Sequence, residues 1–595
     1  MSGTQRKKKG VTRVTALLAL VAMGLALAPQ AALGQVSFSD ADFSGYATGT
    51  YLHADALTLG SSPTVKADLG WSGASVASKG LDTAVSDELG RVVQPSVPGK
   101  NSYGAGFGLD VSLLGSDILQ QQAAAAAAPP STELIKKTLV GPIDVPGVLS
   151  AGVVEGRAQA TYDPNNCILG KDLSYGQGNV ADASLLTGDV LGGVGDTLSA
   201  LLGTDPSSQD PGAVRSSSRT RLVPQTDEGG NIVGPNLGLL SETRQTLAPV
   251  VLFQGVPGAE LTIELLGEWV IQAVATGIPG QSYVSYQPGT ANGETPVLKV
   301  TNTLPLPDAG SELVEGLTVT LDQLLGIVPL DDLLQGDLLG LGLVELVLDP
   351  DPTVTESADG THAKGVVDVV RVRLLPEGEG LLGDLLGTTL GGLELADVRV
   401  GHMEVESRVP VGGITCAGAD VKKAANPEIV NAGQSFVYSI NTTNPFDCEL
   451  TSNSLVDTMT VPDNIGFTIG SQDPPASSTT ANSVTYNDIG PIAPKESKSV
   501  SFQVAVADNA ANGNFVNRAE VVSNCALETA QGGTANVQLT AFDEIDKPRV
   551  QAQEAPPLPK TGGTTAFWAT MAVILGGISV ASAFGYRKLG GISQR

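Results

Sequence analysis

The sequence predicts a mainly β protein with three components: a large β-rich N-terminal domain with short Leu/Gly-rich helices, a smaller β-sandwich, and a C-terminal transmembrane helix. Composition is the first reason. The chain holds 72 Gly and 36 Pro with only 4% aromatics, which suits many short strands and turns. The second is period-2 alternation, as in Val366, Val370, Val372 and in Phe436, Tyr438, Ile440. The third is a charge-free apolar run near the C-terminus. With 595 residues there is room for two or more domains and a large core.

In chain order, residues 1–34 read as a secretory signal peptide. A basic stretch (Arg6 to Lys9, then Arg13) precedes an apolar run from Val14 to Ala28. Small residues Ala32 and Gly34 then offer a cleavage site before Gln35. Export through the Sec translocon and removal by signal peptidase are the expectation. The net charge is −28, and removing residues 1–34 and 562–595 leaves 26 basic and 62 acidic groups, near −36. Such a surface repels nucleic acid and anionic lipid, and it favours solubility.

Residues 35–417 form the large block. Val398 and Val400 alternate up to Gly401, and the phase then moves to Met403 and Val405, suggesting a bulge. Leu191 to Leu202, Leu324 to Leu339 and Leu381 to Leu390 are Leu/Gly patches, expected as short helices on a sheet or as turns. Asp331, Asp332 and Asp337 argue against their insertion into lipid. Gly104, Gly106 and Gly108 read as a Gly/aromatic turn. Residues 123–130, six alanines and two prolines, read as a low-complexity break, and 204–219 as a surface loop. Asp349, Asp351, Glu356 and Asp359 read as an acidic loop, because Pro350 and Pro352 fit a calcium loop poorly. The segments "SGYATGTYLHADAL" and "GGITCAGA" resemble the actinobacterial surface proteins called choice-of-anchor G. That family has no established activity, so the resemblance implies location rather than chemistry.

Residues 418–541 read as an Ig-like β-sandwich. Phe436, Tyr438 and Ile440 share one face, and so do Val500, Phe502, Val504 and Val506, with Gly, Pro, Asn and Asp clusters between the runs. The segments "NPEIVNAGQSFVYSINTTNP", "SLVDTMTVPDNIGF" and "GNFVNRAEVV" resemble an Ig-like repeat of bacterial surface proteins, which implies a stalk or spacer. Residues 542–557 are polar and then Pro-containing, and read as an extended linker.

Residues 558–595 combine three elements. Leu558-Pro559-Lys560-Thr561-Gly562 is followed by an apolar span at about 565–584 and a tail with Arg587, Lys588 and Arg595. About 20 apolar residues cross a bilayer, and basic residues stay on the cytoplasmic side. This resembles the sorting signal of LPXTG surface proteins of Gram-positive bacteria. The resemblance implies cleavage after Thr561 by a sortase cysteine and transfer of the Thr561 carboxyl to an amine of a peptidoglycan precursor. The span would then hold the chain in the membrane only transiently. An ordinary tail-anchored membrane protein is the competing reading.

Four cysteines in an exported chain favour disulfides, with three connectivities possible. Pairing within each domain, Cys167–Cys416 and Cys448–Cys525, is the simplest. No Cys-X-X-Cys occurs, and no cysteine precedes a glutamine.

Alternation also aims three polar residues at the sandwich core. Lys423 lies between Val421 and Ala425, Asp457 between Leu455 and Met459, and Asn517 between Phe515 and Ala519. Surface proteins of the resembled kind join Lys to Asn in an isopeptide bond assisted by an acid. The resemblance implies Lys423 as nucleophile, Asn517 as electrophile and Asp457 as acid, with Lys422 as rival nucleophile. A hydrogen-bonded Asn and Asp with Lys423 exposed at a strand end is the plainer alternative. No catalytic signature accompanies the three histidines, and neither cofactor nor metal is expected. The expected function is a sortase-anchored wall protein with a structural or adhesive role toward a ligand the sequence does not identify. A minor pilus subunit and a wall-bound glycan hydrolase are the alternatives.

Overall fold

The computed structural model describes residues 36–553, apart from 60–61, 114–115, 122, 146–148, 182–183, 186–201, 205–213, 247–249, 253–260, 290–295, 303–316, 321–343 and 375–393. The signal segment, the sorting motif and the 565–584 span lie outside the described residues. So do the three Leu/Gly patches, except Leu202, which opens the strand Leu202–Thr204. Among the described residues the regular elements are strands, and no helix there is long and apolar enough to cross a membrane.

The N-terminal region is built from a pair of antiparallel sheets packed face to face. One carries His362–Leu374, Glu394–Arg408, Ser44–Leu59, Ser62–Ala77 and Ser102–Leu113 side by side. The other carries Leu149–Ala160, Ser174–Ala181, Val214–Thr226, Ile232–Thr246 and Glu268–Ala275. Gly104, Gly106 and Gly108 are strand residues rather than a turn, and they face Gly176 and Gly178 of the other sheet. A Cβ on Gly106 would stand 1.9 Å from the Gln177 carbonyl oxygen, and one on Gly178 would stand 2.2 Å from that of Phe107. Backbone meets backbone here, so only glycine fits. Around this contact hydroxyls bridge the sheets: Ser72 Oγ lies 2.8 Å from both Ser216 and Ser218, and Ser407 donates to Ser241 at 2.9 Å. A close, hydrogen-bonded interface replaces bulky apolar packing, which accounts for the glycine-rich, aromatic-poor composition. Gly178→Ala is therefore expected to cost about 3 kcal/mol, read as a lower urea midpoint, because neither opposing backbone can withdraw.

The alanine run is a strand, not a break. Ala124–Ala128 pairs with Ser102–Gly106 and buries Ala124, Ala126 and Ala128. Identical residues carry no visible alternation, which hides the period-2 burial. Residues 214–219 likewise open the strand Val214–Thr226 rather than a surface loop.

At Gly401 the alternation does slip, with φ at 76°. Arg399 and His402 both reach Asp368, so the outward face steps by one residue between them. Yet the pairing register is the same on both sides of this row in four strand pairs. A bulge adds a residue to one strand only. Here Val369, Gly401, Tyr51, Gly70 and Gly108 form one row in which all five strands step together. All three histidines lie on the outward face with carboxylate partners: His53 on Asp68 (2.6 Å), His402 on Asp368 (2.7 Å) and His362 near Glu406 (3.3 Å). Asp349, Asp351 and Glu356 belong to the strand Val344–Glu356 rather than to an acidic loop, and Asp359 lies in the turn after it; Glu356 accepts the Val284 N–H and Asp359 accepts the Thr361 hydroxyl.

From residue 420 onward two further open sheets share one core. Asp420–Asn426, Ser435–Thr443, Ser497–Val506 and Phe467–Asp473 form one, and Leu450–Thr460, Val516–Glu528 and Thr534–Ile545 lie side by side in the other. Phe436, Tyr438, Ile440, Val500, Phe502, Val504 and Val506 are buried on the alternation that the sequence shows. The stretch read as linker from 542 belongs to this fold. The last sheet strand runs to Ile545, and Arg549–Gln551 pairs in parallel with Ile429–Asn431.

The N-terminal and C-terminal regions are fused. One core contains Leu169, Leu173 and Leu239 from the former and Phe446, Leu450, Leu527 and Leu539 from the latter. Both disulfides, Cys167–Cys416 and Cys448–Cys525, lie in it. Polar contacts rim it: Arg221 bonds Glu528, and the Gln272 amide donates to the Ala530 carbonyl at 2.8 Å.

Candidate crosslinking site between the two sheets

Three polar side chains meet inside the core of the C-terminal region. Asp457 pairs across the ladder with Ala519, and Met459 with Asn517, so Asp457 and Asn517 are diagonal neighbours on one inward face. Lys423 enters from the edge strand of the facing sheet. Its side chain and that of Asp457 are both fully buried, and its Nζ contacts Asp457 Oδ2. Lys422, the rival, points out with 75% of its side chain exposed and pairs with Asp420. Packing thus selects Lys423.

The surroundings are apolar and aromatic. Lys423 Nζ stands 4.6 Å from the Tyr438 ring centroid and 5.6 Å from that of Phe502. Loss of water around the amine lowers the Lys423 pKa from 10.5 to about 6, against a smaller opposing pull from Asp543. At neutral pH the amine is then largely uncharged, as a nucleophile must be. Burial also raises the Tyr438 pKa, with a smaller opposing effect from nearby Asn517. The Tyr438 hydroxyl gives its proton to the Lys547 carbonyl at 2.6 Å, so toward Asn517 its oxygen can only accept, from the amide N–H.

Asn517 is the anomaly. It is completely buried, and neither its amide oxygen nor its amide nitrogen completes a hydrogen bond among the described residues; Asp457 Oδ1 has no partner either. A buried polar group without a partner costs about 1–3 kcal/mol. Amine, carboxyl and unengaged carboxamide in one dry pocket are the reactants for amide exchange.

One neighbour escapes the sequence reading. Asp543, on Thr534–Ile545, accepts the backbone N–H of Lys423 through Oδ2 at 2.7 Å. Its signal is present in "AFDEI", where Ala541, Asp543 and Ile545 share a face, but that segment straddles the boundary which composition suggests at 541.

No protein-family model and no curated protein matches the chain. Among solved structures it is similar to the N-terminal domain of a Streptococcus gordonii adhesin, at 8% identity and TM-score 0.14, covering 69% of this chain and 88% of that one. A Corynebacterium diphtheriae protein described as membrane anchored gives 12% identity and TM-score 0.14, covering 72% and 99%. A cohesin module of a Clostridium perfringens glycoside hydrolase gives 12% and 0.15, covering 23% and 99%. TM-scores this low carry no argument about fold or function.

Proposed function

We propose that this is a sortase-anchored cell-wall surface protein with a structural or adhesive role. Its C-terminal region is an Ig-like sandwich locked by an isopeptide bond between Lys423 and Asn517. The observation that carries the crosslink is the buried, unengaged Asn517 amide beside Lys423 and Asp457. Anchoring rests on the sorting signal of residues 558–595 and the signal peptide of residues 1–34.

The chemistry closes without a co-reactant. The Lys423 Nζ lone pair attacks Cγ of Asn517, and Asp457 protonates the developing oxyanion while accepting the amine proton. As the tetrahedral centre collapses, Asp457 takes the proton back from the oxygen and passes the amine proton to the original amide nitrogen, the C–N bond to that nitrogen breaks, and ammonia leaves. One amide is exchanged for another, and two buried orphan groups become one peptide-like linkage. The crosslink ties the first strand of the sandwich to its penultimate strand, across the two sheets. That is a useful brace in a domain loaded from its C-terminal end.

Protein released from host cell walls by muramidase tests both claims in one mass spectrum. We expect a chain ending at Thr561 with wall fragments attached, lighter by one ammonia than the disulfide-bonded sequence requires. A chain ending at Arg595 and recovered from membranes sinks the anchoring, and an undiminished mass sinks the bond. In refolding, ammonia loss is expected to speed up as pH rises through about 6, where the Lys423 amine becomes neutral. A flat profile would mean that the amine does not control the reaction.

A further inference from the structure

The geometry assigns Asp543 as the positioning residue of the crosslink: its carboxylate spans the gap between the two sheet edges and fixes the strand that delivers Lys423. This role rests on the proposed Lys423–Asn517 bond.

Asp420–Asn426 is an edge strand, paired on one side only, with Ser435–Thr443. Thr534–Ile545 is the edge strand of the other sheet. Just ahead of the first edge, Ala417 bridges Thr540 in parallel and the Gly418 N–H donates to the Thr540 carbonyl at 3.0 Å; alongside Lys423 itself the link is made by Asp543 Oδ2, which accepts the Lys423 N–H at 2.7 Å. That N–H points away from Ser435–Thr443, so without Asp543 it has no strand partner. Asp543 also stands in the row of the acid. Asp457 pairs with Ala519, and Ala519 pairs with Asp543, so the two carboxylates stand in one row on either side of Ala519. The bond from Asp543 fixes the height of Lys423 along the sandwich, and hence where Nζ meets Asp457 and Asn517. A one-residue slip of this edge would turn Lys423 outward and Lys422 inward.

Four residues face the amine: Asp457, Asp543, Tyr438 and Phe502. Among them only Asp543 holds the lysine by its backbone. Its contribution is an acceptor at a fixed place, which the carboxamide of asparagine also supplies.

The test is the rate of ammonia loss when the full chain, obtained unfolded, is refolded at neutral pH and sampled by intact mass. Asp543→Ala is expected to slow the reaction about 10-fold or more, as misplacement of a reacting group does. Asp543→Asn should run close to the wild-type rate, a rescue that a merely structural or charge-based role would not give. Asp543→Leu fills the space without an acceptor and supplies the same comparison if the alanine variant does not fold. With crosslinking intact in wild type, full-speed reaction in Asp543→Ala, or an asparagine variant as slow as alanine, overturns the assignment. Absence of ammonia loss in wild type overturns the crosslink itself, and this role with it.

Discussion

Asn517→Ala is expected to lower the stability of the sandwich by on the order of 5 kcal/mol, and Lys423→Ala by about 2 kcal/mol more. The first figure comes from chain entropy. A bond between residues 423 and 517 closes a long loop, and that restriction acts mainly on the unfolded chain, as it does for a disulfide. Losing the bond restores the freedom. The second figure comes from a lost partner. Asn517→Ala leaves Lys423 against Asp457 in the core, whereas Lys423→Ala leaves the fully buried Asp457 carboxyl without that partner. The expected order in urea midpoint is therefore wild type, then Asn517→Ala, then Lys423→Ala. Without a bond the order of the first two would invert, because truncating Asn517 removes two unpartnered buried atoms. The comparison thus separates a covalent site from an ordinary buried polar pair.

How much of this is legible in the sequence depends on whether side chains report their own surroundings. In the sandwich, bulky apolar residues alternate with small polar ones, so Phe436, Tyr438 and Ile440 declare an inward face, and Lys423, Asp457 and Asn517 can be placed by the same rule. Strand phase alone leaves Lys422 and Lys423 as rivals, and packing decides between them. The N-terminal region hides its logic. There the inward residues are Gly104, Gly106, Gly176 and Gly178 with serines and threonines, which read as loop-forming in isolation. Their meaning lies in the opposing backbone at about van der Waals contact or closer, a tertiary fact. The alanine strand and the row at Gly401 are obscured for related reasons. One has no contrast between its faces, and the other depends on four neighbouring strands making the same step. Asp543 is missed because composition turns acidic at Asp543 and Glu544, although the pattern of alternation continues to Ile545.

Removing the Cys167–Cys416 disulfide is expected to cost on the order of 5 kcal/mol and to unsettle both regions of the chain together. The two half-cystines are 249 residues apart, more than three times the 77-residue separation of Cys448 and Cys525, so the loop they close is the longer of the two. Cys416 stands just before the strand Asp420–Asn426, where the N-terminal region hands over to the sandwich. Both sulfurs lie in the core shared by Leu173 and Leu239 on one side and Phe446 and Leu527 on the other. A flexible stalk would let each region melt alone, whereas a shared core makes the loss of either expose the other's apolar surface. Tryptophan reports this cleanly. Trp71 and Trp269 both belong to the N-terminal region, and the third tryptophan lies beyond Thr561. In a chain ending at Thr561, tryptophan emission therefore follows the N-terminal region alone. Cys167→Ala with Cys416→Ala should lower its urea midpoint, and so should Asn517→Ala, although Asn517 lies in the sandwich. A tryptophan transition unmoved by Asn517→Ala, with the sandwich itself weakened, would mean that the two regions unfold independently and that the shared core couples them little.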